Sequence, residues 1–588
     1  MTTSRRTRLA DLAFDRGGLL GLVVLAVYLA LAPTYVVDGD NAEFATLGAT
    51  GGLAHPPGYP LYVLYLRAMS WLPGSSAAHT AALSTAILGA ASVVVLHAAC
   101  RAWGARPTAA SIAVAILAGA PIVLRLHTAA EVFALNDLIA AVVLWLSATN
   151  GPLRGARRAV VLALVAGLGM CNQHTCVLLA PVGLLGVIRG VREATLPRVA
   201  TVALAVAGFG VGLLPYLYLF VAPSSAISWG RVDSMGQLFA HFTRADYGGI
   251  GAFSLAAGKL DPAANLASLL LTLGRAWWWL PGALGVVVLG VRTVRAGTGE
   301  PRWGWAMLTL SFVLAGPLLI ARFNIFPEGI GLAICQRFHA FAVVLLTIPV
   351  ATAIDHVVGR LPRRRLLHEA FAVTVFAAAA GLSLPYILAT HSPAMEKGVV
   401  NLLKSLPERA VLISTPDDLH SGSVYAQDVL GVRPDIDVIT WGLAGLPWFR
   451  ARIAQHGLVI DPNASTEGFP SVRVARQVLA TGRPLFVEVS QGNILRAFKT
   501  YPYGLVFRVL PPGVEIPILD EILAINKDLF SSFDLAYPRP EPNAPYAAQM
   551  HQRYALTWDI LARALVEAGR KEEAREARSL VQDLAPRR

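Results

Sequence analysis

The sequence predicts an α-helical polytopic membrane protein with about eleven transmembrane helices. It also predicts a C-terminal extracytoplasmic α/β domain that ends in a tetratricopeptide-like helical hairpin. Three observations lead there. First, 55% of the 588 residues are hydrophobic and only 15% charged, against about 25% charged in ordinary soluble chains, and the mean hydropathy is +0.55. Second, residues 1–390 contain long apolar stretches separated by short polar loops. Third, the net charge of +12 is unevenly placed: residues 391–588 hold 22 basic and 22 acidic side chains, so the whole surplus lies in the apolar part. A basic excess confined to a hydrophobic segment points to membrane orientation rather than to nucleic acid.

Crossing the hydrocarbon layer takes roughly 20 apolar residues in a helix. Such stretches fall near residues 17–37, 77–100, 107–125, 129–148, 159–174, 176–189, 199–221, 268–291, 303–321, 336–357 and 366–389. The fifth and sixth form one apolar run interrupted by Asn172-Gln173-His174, a tight hairpin. With the amino terminus inside, each inner loop is basic, from Arg5, Arg6, Arg8 and Arg16 to Arg360, Arg363, Arg364 and Arg365, which is the cytoplasmic bias. The outer loops hold Asp38, Asp40, Glu43, Glu131, Asp233, Asp246, Asp261 and Glu328, and everything after His391 is outside. Asp11 and Asp15 interrupt the basic leader and no small-residue cleavage site follows Val37, so the first helix is expected to be a retained anchor. Few Lys against many Arg, with much Ala and Gly, fits a high-GC bacterium, hence a bacterial cell (inner) membrane.

Cys100, Cys171, Cys176 and Cys335 all lie in or beside the spans, so no disulfide framework is needed, and Cys171 and Cys176 match no zinc spacing. Three units result: residues 1–390 in the membrane, an α/β domain at 391–545, and a helical tail at 546–588. In the α/β domain, runs at 410–414, 436–441, 485–489 and 504–509 alternate with helical stretches at 393–405 and 472–480. The tail, with Trp558, Leu561, Leu565, Gly569 and Ala577, is either a lone tetratricopeptide unit or a helical cap on its own domain.

Charge near a bilayer is costly, so clusters there need a reason. The densest is Asp38-Gly39-Asp40-Asn41-Ala42-Glu43. On a helix, Asp40 and Glu43 share a face and repel, as in a poised general base; acids at a helix start are equally a cap. Twelve residues on, His55-Pro56-Pro57-Gly58-Tyr59-Pro60 holds an imidazole on a stiff loop. Arg125, His127 and Glu131, then Asn172, Gln173 and His174, then Trp229 and Arg231, collect on the same face. So do His241, Arg244 and Asp246, and finally Gln336, Arg337 and His339. Each Arg either snorkels or seats a phosphate. Asp137 is six residues from Glu131, about 240° around a helix, so both do not face one site. His97, His356 and His368 lie inside and are structural.

Asp40-Asn41-Ala42-Glu43 followed by His55-Pro56-Pro57-Gly58-Tyr59-Pro60-Leu61 resembles the signature of the transmembrane protein 260 type of protein O-mannosyltransferase. Cys171-Asn172-Gln173-His174-Thr175, Ser228-Trp229-Gly230 and the segment from His241 to Gly248 resemble it in the same order. The family usually has Ser and Gly where Asn41 and Ala42 stand, and Asp38 has no counterpart in it. The resemblance implies a GT-C-like membrane glycosyltransferase with a catalytic acid in its first outer loop and a polyprenyl-phosphate sugar donor, mannose leading. It implies an extracytoplasmic protein Ser/Thr hydroxyl as acceptor, or else a glycolipid or cell-wall glycan. Asp40 is then the base, with Asp38 a competitor, and Glu43 and His55 position it. Arg337 with Arg244 or Arg125 clamps the donor phosphate, and Asn172, Gln173, His174, Tyr59, Trp229 and Asp246 contact substrate. No metal site is assigned; the acids could hold a divalent cation, though nothing demands one. The alternatives are a transporter or flippase of lipid-linked substrates, and a scaffold that binds partners through its outer domain.

Overall fold

A computed structural model describes residues 17–247, 261–295, 299–358, 365–415, 417–460 and 469–587. The leader residues Arg5, Arg6, Arg8, Asp11, Asp15 and Arg16, the loop residues Arg360, Arg363 and Arg364, and Gly248 lie outside the described residues.

The apolar runs form helices whose ends are set by prolines and caps. In order they are α1 (Gly18–Leu31), α2 (Gly39–Thr50), α3 (Pro60–Ala68), α4 (Ala77–Ala102), α5 (Pro107–Ala118), α6 (Pro121–Thr128), α7 (Phe133–Ser147), α8 (Gly155–Met170), α9 (Ala180–Glu193), α10 (Arg198–Gly212), α11 (Met235–Phe242), α12 (Pro262–Ala276), α13 (Leu280–Val294), α14 (Arg302–Val313), α15 (Gly329–Leu345), α16 (Thr347–Val358) and α17 (Arg365–Thr390). Among the described residues, five helical stretches are long and apolar enough to cross a membrane, or eight if three bent pairs each count as one span; α1 and α7 are shorter apolar helices. The chain is a mostly helical, multi-pass membrane protein.

Three of the expected spans are broken rather than continuous. Pro121 opens α6 after α5 with a 69° bend, and α15 and α16 meet at 44°. The stretch at 268–291 bends by 110° between α12 and α13. Trp278 and Trp279 take left-handed backbone there (φ 49° and 56°) and Pro281 follows, so the ladder cannot run through.

The carboxy-terminal segment carries α18 (Ala394–Ser405), α19 (Asp417–Val424), α20 (Pro447–Ala454), α21 (Pro470–Ala480), α22 (Leu519–Ser531), α23 (Pro545–Glu567) and α24 (Lys571–Leu584). Its sheet is β1 (Val411–Ser414), β2 (Asp437–Thr440), β3 (Leu485–Val487), β4 (Thr500–Tyr503) and β5 (Val506–Val509), ordered β2-β1-β3-β5-β4. The first three strands are parallel, with Val411 opposite Asp437 and Leu485, and β5 joins antiparallel, with Val509 opposite Leu485. Helices α23 and α24 pack on each other; Trp558, Leu561 and Leu565 are buried, and the Trp558 ring meets Phe530 of α22.

This segment is fastened onto the end of the bundle that carries α2. The Val36 N–H donates to Glu396 Oε2 at 2.9 Å and the Tyr35 hydroxyl to the His391 carbonyl at 2.7 Å. Helix α19 packs on α2 itself, so residues far apart in sequence meet around the Asp40 segment.

Candidate active site

The site is built at the amino-terminal end of α2. Asp38 Oδ1 accepts from the Asn41 N–H at 3.0 Å, and Asn41 Oδ1 accepts in return from the Val37 N–H at 3.0 Å. This reciprocal cap satisfies helix-end donors. It gives Asp38 and Asn41 structural work, while Ala42 is fully buried.

Asp40 and Glu43, one turn apart, serve different partners. Glu43 accepts from the His55 backbone N–H at 2.8 Å and pairs with His55 Nδ1 at 2.5 Å. The Tyr59 hydroxyl stands 3.2 Å from His55 Nε2. The His55 loop is docked rigidly: Gly58 has φ +94°, and a Cβ there would meet the His241 ring at 3.1 Å, so only glycine fits. His241 Nε2 donates to the Ala54 carbonyl at 3.1 Å.

Asp40 is held by Arg337, whose Nη1 donates to Asp40 Oδ2 and lies 3.2 Å from Glu131 Oε1. Arg337 Nη2 donates to the Tyr546 hydroxyl at 2.9 Å. Arg337 therefore links α2, the turn before α7, and the start of α23. Around it is a cavity of about 420 Å³. Asp40, His55, Tyr59, Glu131, Gln173, Arg244, Arg337, Asp418, Tyr546 and Gln549 line it, and Phe323, Ile325, Ile330, Ile334 and Phe338 give it an apolar wall.

Burial raises the Asp40 carboxyl, but the charges of Arg337, His55 and Arg244 outweigh it and leave its pKa below the ordinary carboxylate value. Burial pushes the His55 imidazole down, yet Glu43 and then Asp40 bring it above its ordinary value. Asp40 thus stays anionic and His55 favours its cationic form. Asp40, Glu43 and His55 each offer one ligand atom within 4.8 Å of the others, which makes them the residues that could hold a cation.

Of the residues expected to act, Asp40, His55, Tyr59, Gln173, Arg244 and Arg337 meet in this cavity, with Glu43 behind His55. Arg125 does not: it lies 3.8 Å from Asp38 and lines two neighbouring cavities instead. Asn172 is buried and donates to the Val132 carbonyl at 3.1 Å, bracing the turn that carries Glu131. His174 packs between Tyr216, 3.2 Å away, and the Phe242 ring. The Trp229 ring lies 6.0 Å from the His55 ring, centroid to centroid, and with Asp246 lines a separate cleft. Asp137 pairs with His127 at 2.9 Å in the core. Glu131 was visible in the sequence only as one polar group among many, and Asp418, Tyr546 and Gln549 carry no local motif.

Residues 40–195 match the family model described as the N-terminal domain of protein O-mannosyl-transferase TMEM260. The protein O-mannosyl-transferase TMEM260 of Mus musculus is 25% identical over 476 residues, covering 74% of this chain and 63% of the relative. That of Dictyostelium discoideum is 21% identical over 530 residues, covering 81% and 64%. The chain thus spans less than two thirds of the length of these curated relatives. Among solved structures, ArnT from Cupriavidus metallidurans bound to undecaprenyl phosphate superposes with TM-score 0.53 at 14% identity, over 85% of this chain and 98% of that one. Its apo state gives 0.51 at 15% identity. The chain therefore shares the fold of ArnT, and the resemblance of the Asp40 and His55 motifs to the TMEM260 type holds across the matched region.

Proposed function

Starting from a chain that resembles the TMEM260 protein O-mannosyl-transferases and shares the fold of ArnT, we propose that it is a membrane glycosyltransferase. It takes a sugar, mannose first among candidates, from a polyprenyl-phosphate carrier and transfers it to a Ser or Thr hydroxyl of an extracytoplasmic protein. The observation that carries this reading is one cavity with an anionic base, two guanidiniums and an apolar wall.

A hydroxyl has a pKa far above 7 and needs a carboxylate to take its proton as it attacks. Asp40 is that carboxylate. The acceptor oxygen forms a bond to the anomeric carbon, the bond from that carbon to the phosphate oxygen breaks, and its electron pair leaves with the lipid phosphate. One displacement inverts the anomeric centre. The leaving phosphate needs positive charge rather than a proton. Arg337 and Arg244 supply it, the phosphate competing with Asp40 for the Arg337 edge. The first isoprene units lie along Phe323, Ile330 and Phe338, which excludes water from the reacting end. Glu43 and His55 hold the loop, and Tyr546 fixes the far edge of Arg337. A flippase would need its polar path through mid-membrane, whereas Asp40, Glu131 and Tyr546 sit at the starts of α2, α7 and α23; Arg337 reaches them from the middle of α15, not from a helix amino terminus as the apolar run at 336–357 suggests.

The test is to incubate purified protein with labelled polyprenyl-phosphate sugars and Ser/Thr-containing polypeptides. Sugar on the polypeptide with stoichiometric polyprenyl phosphate is the expected result; no release from any carrier would overturn the reading.

A further inference from the structure

Beyond the reaction cavity lies a second, larger opening of about 810 Å³ between the segment at 224–246 and helix α20. Trp229, Arg231 and Asp246 face it from the bundle side, and Trp448, Gln455 and His456 from the carboxy-terminal segment. The two walls are tied together, because the Arg452 guanidinium donates to the Ala226 carbonyl and, at 2.6 Å, to the Ser228 carbonyl. Gly230, at φ +76°, lets the Trp448 ring approach so closely that a Cβ would meet it at 3.0 Å. The Ser228-Trp229-Gly230 motif is thus where the two walls of this cleft meet.

One side chain stands between the cleft and the reaction cavity. The Trp229 ring lies 5.6 Å from Trp448, 5.7 Å from Tyr247 and 6.0 Å from His55, centroid to centroid, and His55 faces Asp40's cavity. We infer that this cleft seats the acceptor as an extended polypeptide segment, which delivers one short hydroxyl side chain past Trp229 to Asp40. The inference rests on the glycosyltransferase reading and names its acceptor subsite.

Three observations favour a polypeptide over a lipid or a glycan. Helix α11 separates the cleft from the apolar surface: Met235 and Phe239 are 70% and 67% exposed on one face, while Gln237, Ala240 and His241 line the cleft on the other. A lipid-borne acceptor would arrive from the wrong side. The walls carry both signs of charge, Arg231 with Asp233 and Asp246, facing Arg452 and His456, as suits a mixed polar chain. Residues 231–233 belong to neither helix nor strand, and backbone of that kind can pair with an extended peptide as a sheet edge does. Glycans have no matching ladder of N–H and C=O groups.

The experiment uses the full chain with polyprenyl-phosphate mannose, a ten-residue Ser/Thr peptide and a capped tripeptide as acceptors, and the variants Gln455→Trp and Arg231→Trp. Both positions are exposed, so filling the cleft there spares the core. The expected result is at least a ~10-fold fall in the ratio of kcat/KM for the long peptide to that for the tripeptide. A photo-reactive copy of the peptide should also cross-link to residues 447–456. An unchanged ratio, cross-links elsewhere, or competition by oligosaccharides but not by peptides would overturn the cleft assignment. If no sugar moves to any acceptor, the glycosyltransferase reading fails, and the cross-link still decides whether the cleft binds polypeptide.

Discussion

Arg337 is the residue on which the site turns, because it touches Asp40, Glu131 and Tyr546 at once. Replacing it with Gln removes charge from the donor phosphate; donor affinity should fall by about 10- to 100-fold, matching roughly 1.5–3 kcal/mol for a charge-assisted hydrogen bond, in a binding titration with polyprenyl phosphate. The same variant tests the charge balance. Asp40 has a lowered pKa, so its contribution is present above the ordinary carboxylate value and is lost only as pH falls through the depressed one. His55 has a raised pKa, so its pairing with Glu43 is complete below the ordinary imidazole value and is lost as pH rises through the raised one. The wild-type pH–rate profile should therefore stay flat beyond both ordinary values. Arg337→Gln should move the acid limb up, and Glu43→Gln should move the alkaline limb down. Limbs that do not move would detach these pairs from catalysis. Asp40, His55 and Arg337 were legible because charge beside a bilayer demands a use. Asp38 was ambiguous for a physical reason: a cap and a base are both acids at a helix start, and only the bond from Asn41 N–H separates them.

At the level of elements, the tail contributes more than a cover. Helix α23 begins at Pro545 and brings Tyr546 and Gln549 into the cavity within its first two turns. Tyr546→Phe deletes only the hydroxyl on Arg337, so kcat should drop about 3- to 10-fold, the worth of roughly one hydrogen bond, with the melting temperature nearly unchanged. A large loss of stability instead would make Tyr546 a packing residue. Nothing in the sequence pointed here, since Tyr546 is 209 positions from Arg337 and follows a proline-rich linker. The strand runs of the α/β segment were readable, except β4. Pro502 inside it reads as a breaker, yet β4 is the edge of the sheet, where a missing donor is tolerated. The long apolar runs were equally readable, while the 110° break at Trp277–Trp279 was not, because three tryptophans look as apolar as the helix they end.

For the molecule as a whole, the surplus of +12 is expected to lie on the cytoplasmic face. Arg158 pairs with Glu193 at 3.0 Å and Arg189 with the buried Glu300 at 2.5 Å, so part of the basic charge holds helices together. The orientation proposed here predicts that an impermeant maleimide labels Gln455→Cys in intact cells, while Arg192→Cys reacts only after lysis. The four native cysteines are buried and should give little background; the reverse pattern would put the reaction cavity in the cytoplasm. The proposed chemistry joins these scales at one atom, the carboxylate oxygen that takes the acceptor's proton. The most direct test is the single-turnover rate of sugar transfer in Asp40→Asn under saturating donor and acceptor. Loss of a general base predicts a fall of about 10²- to 10⁴-fold with donor affinity retained or tightened, since Arg337 is freed. A rate within about threefold of wild type would contradict the assignment of Asp40 as the base.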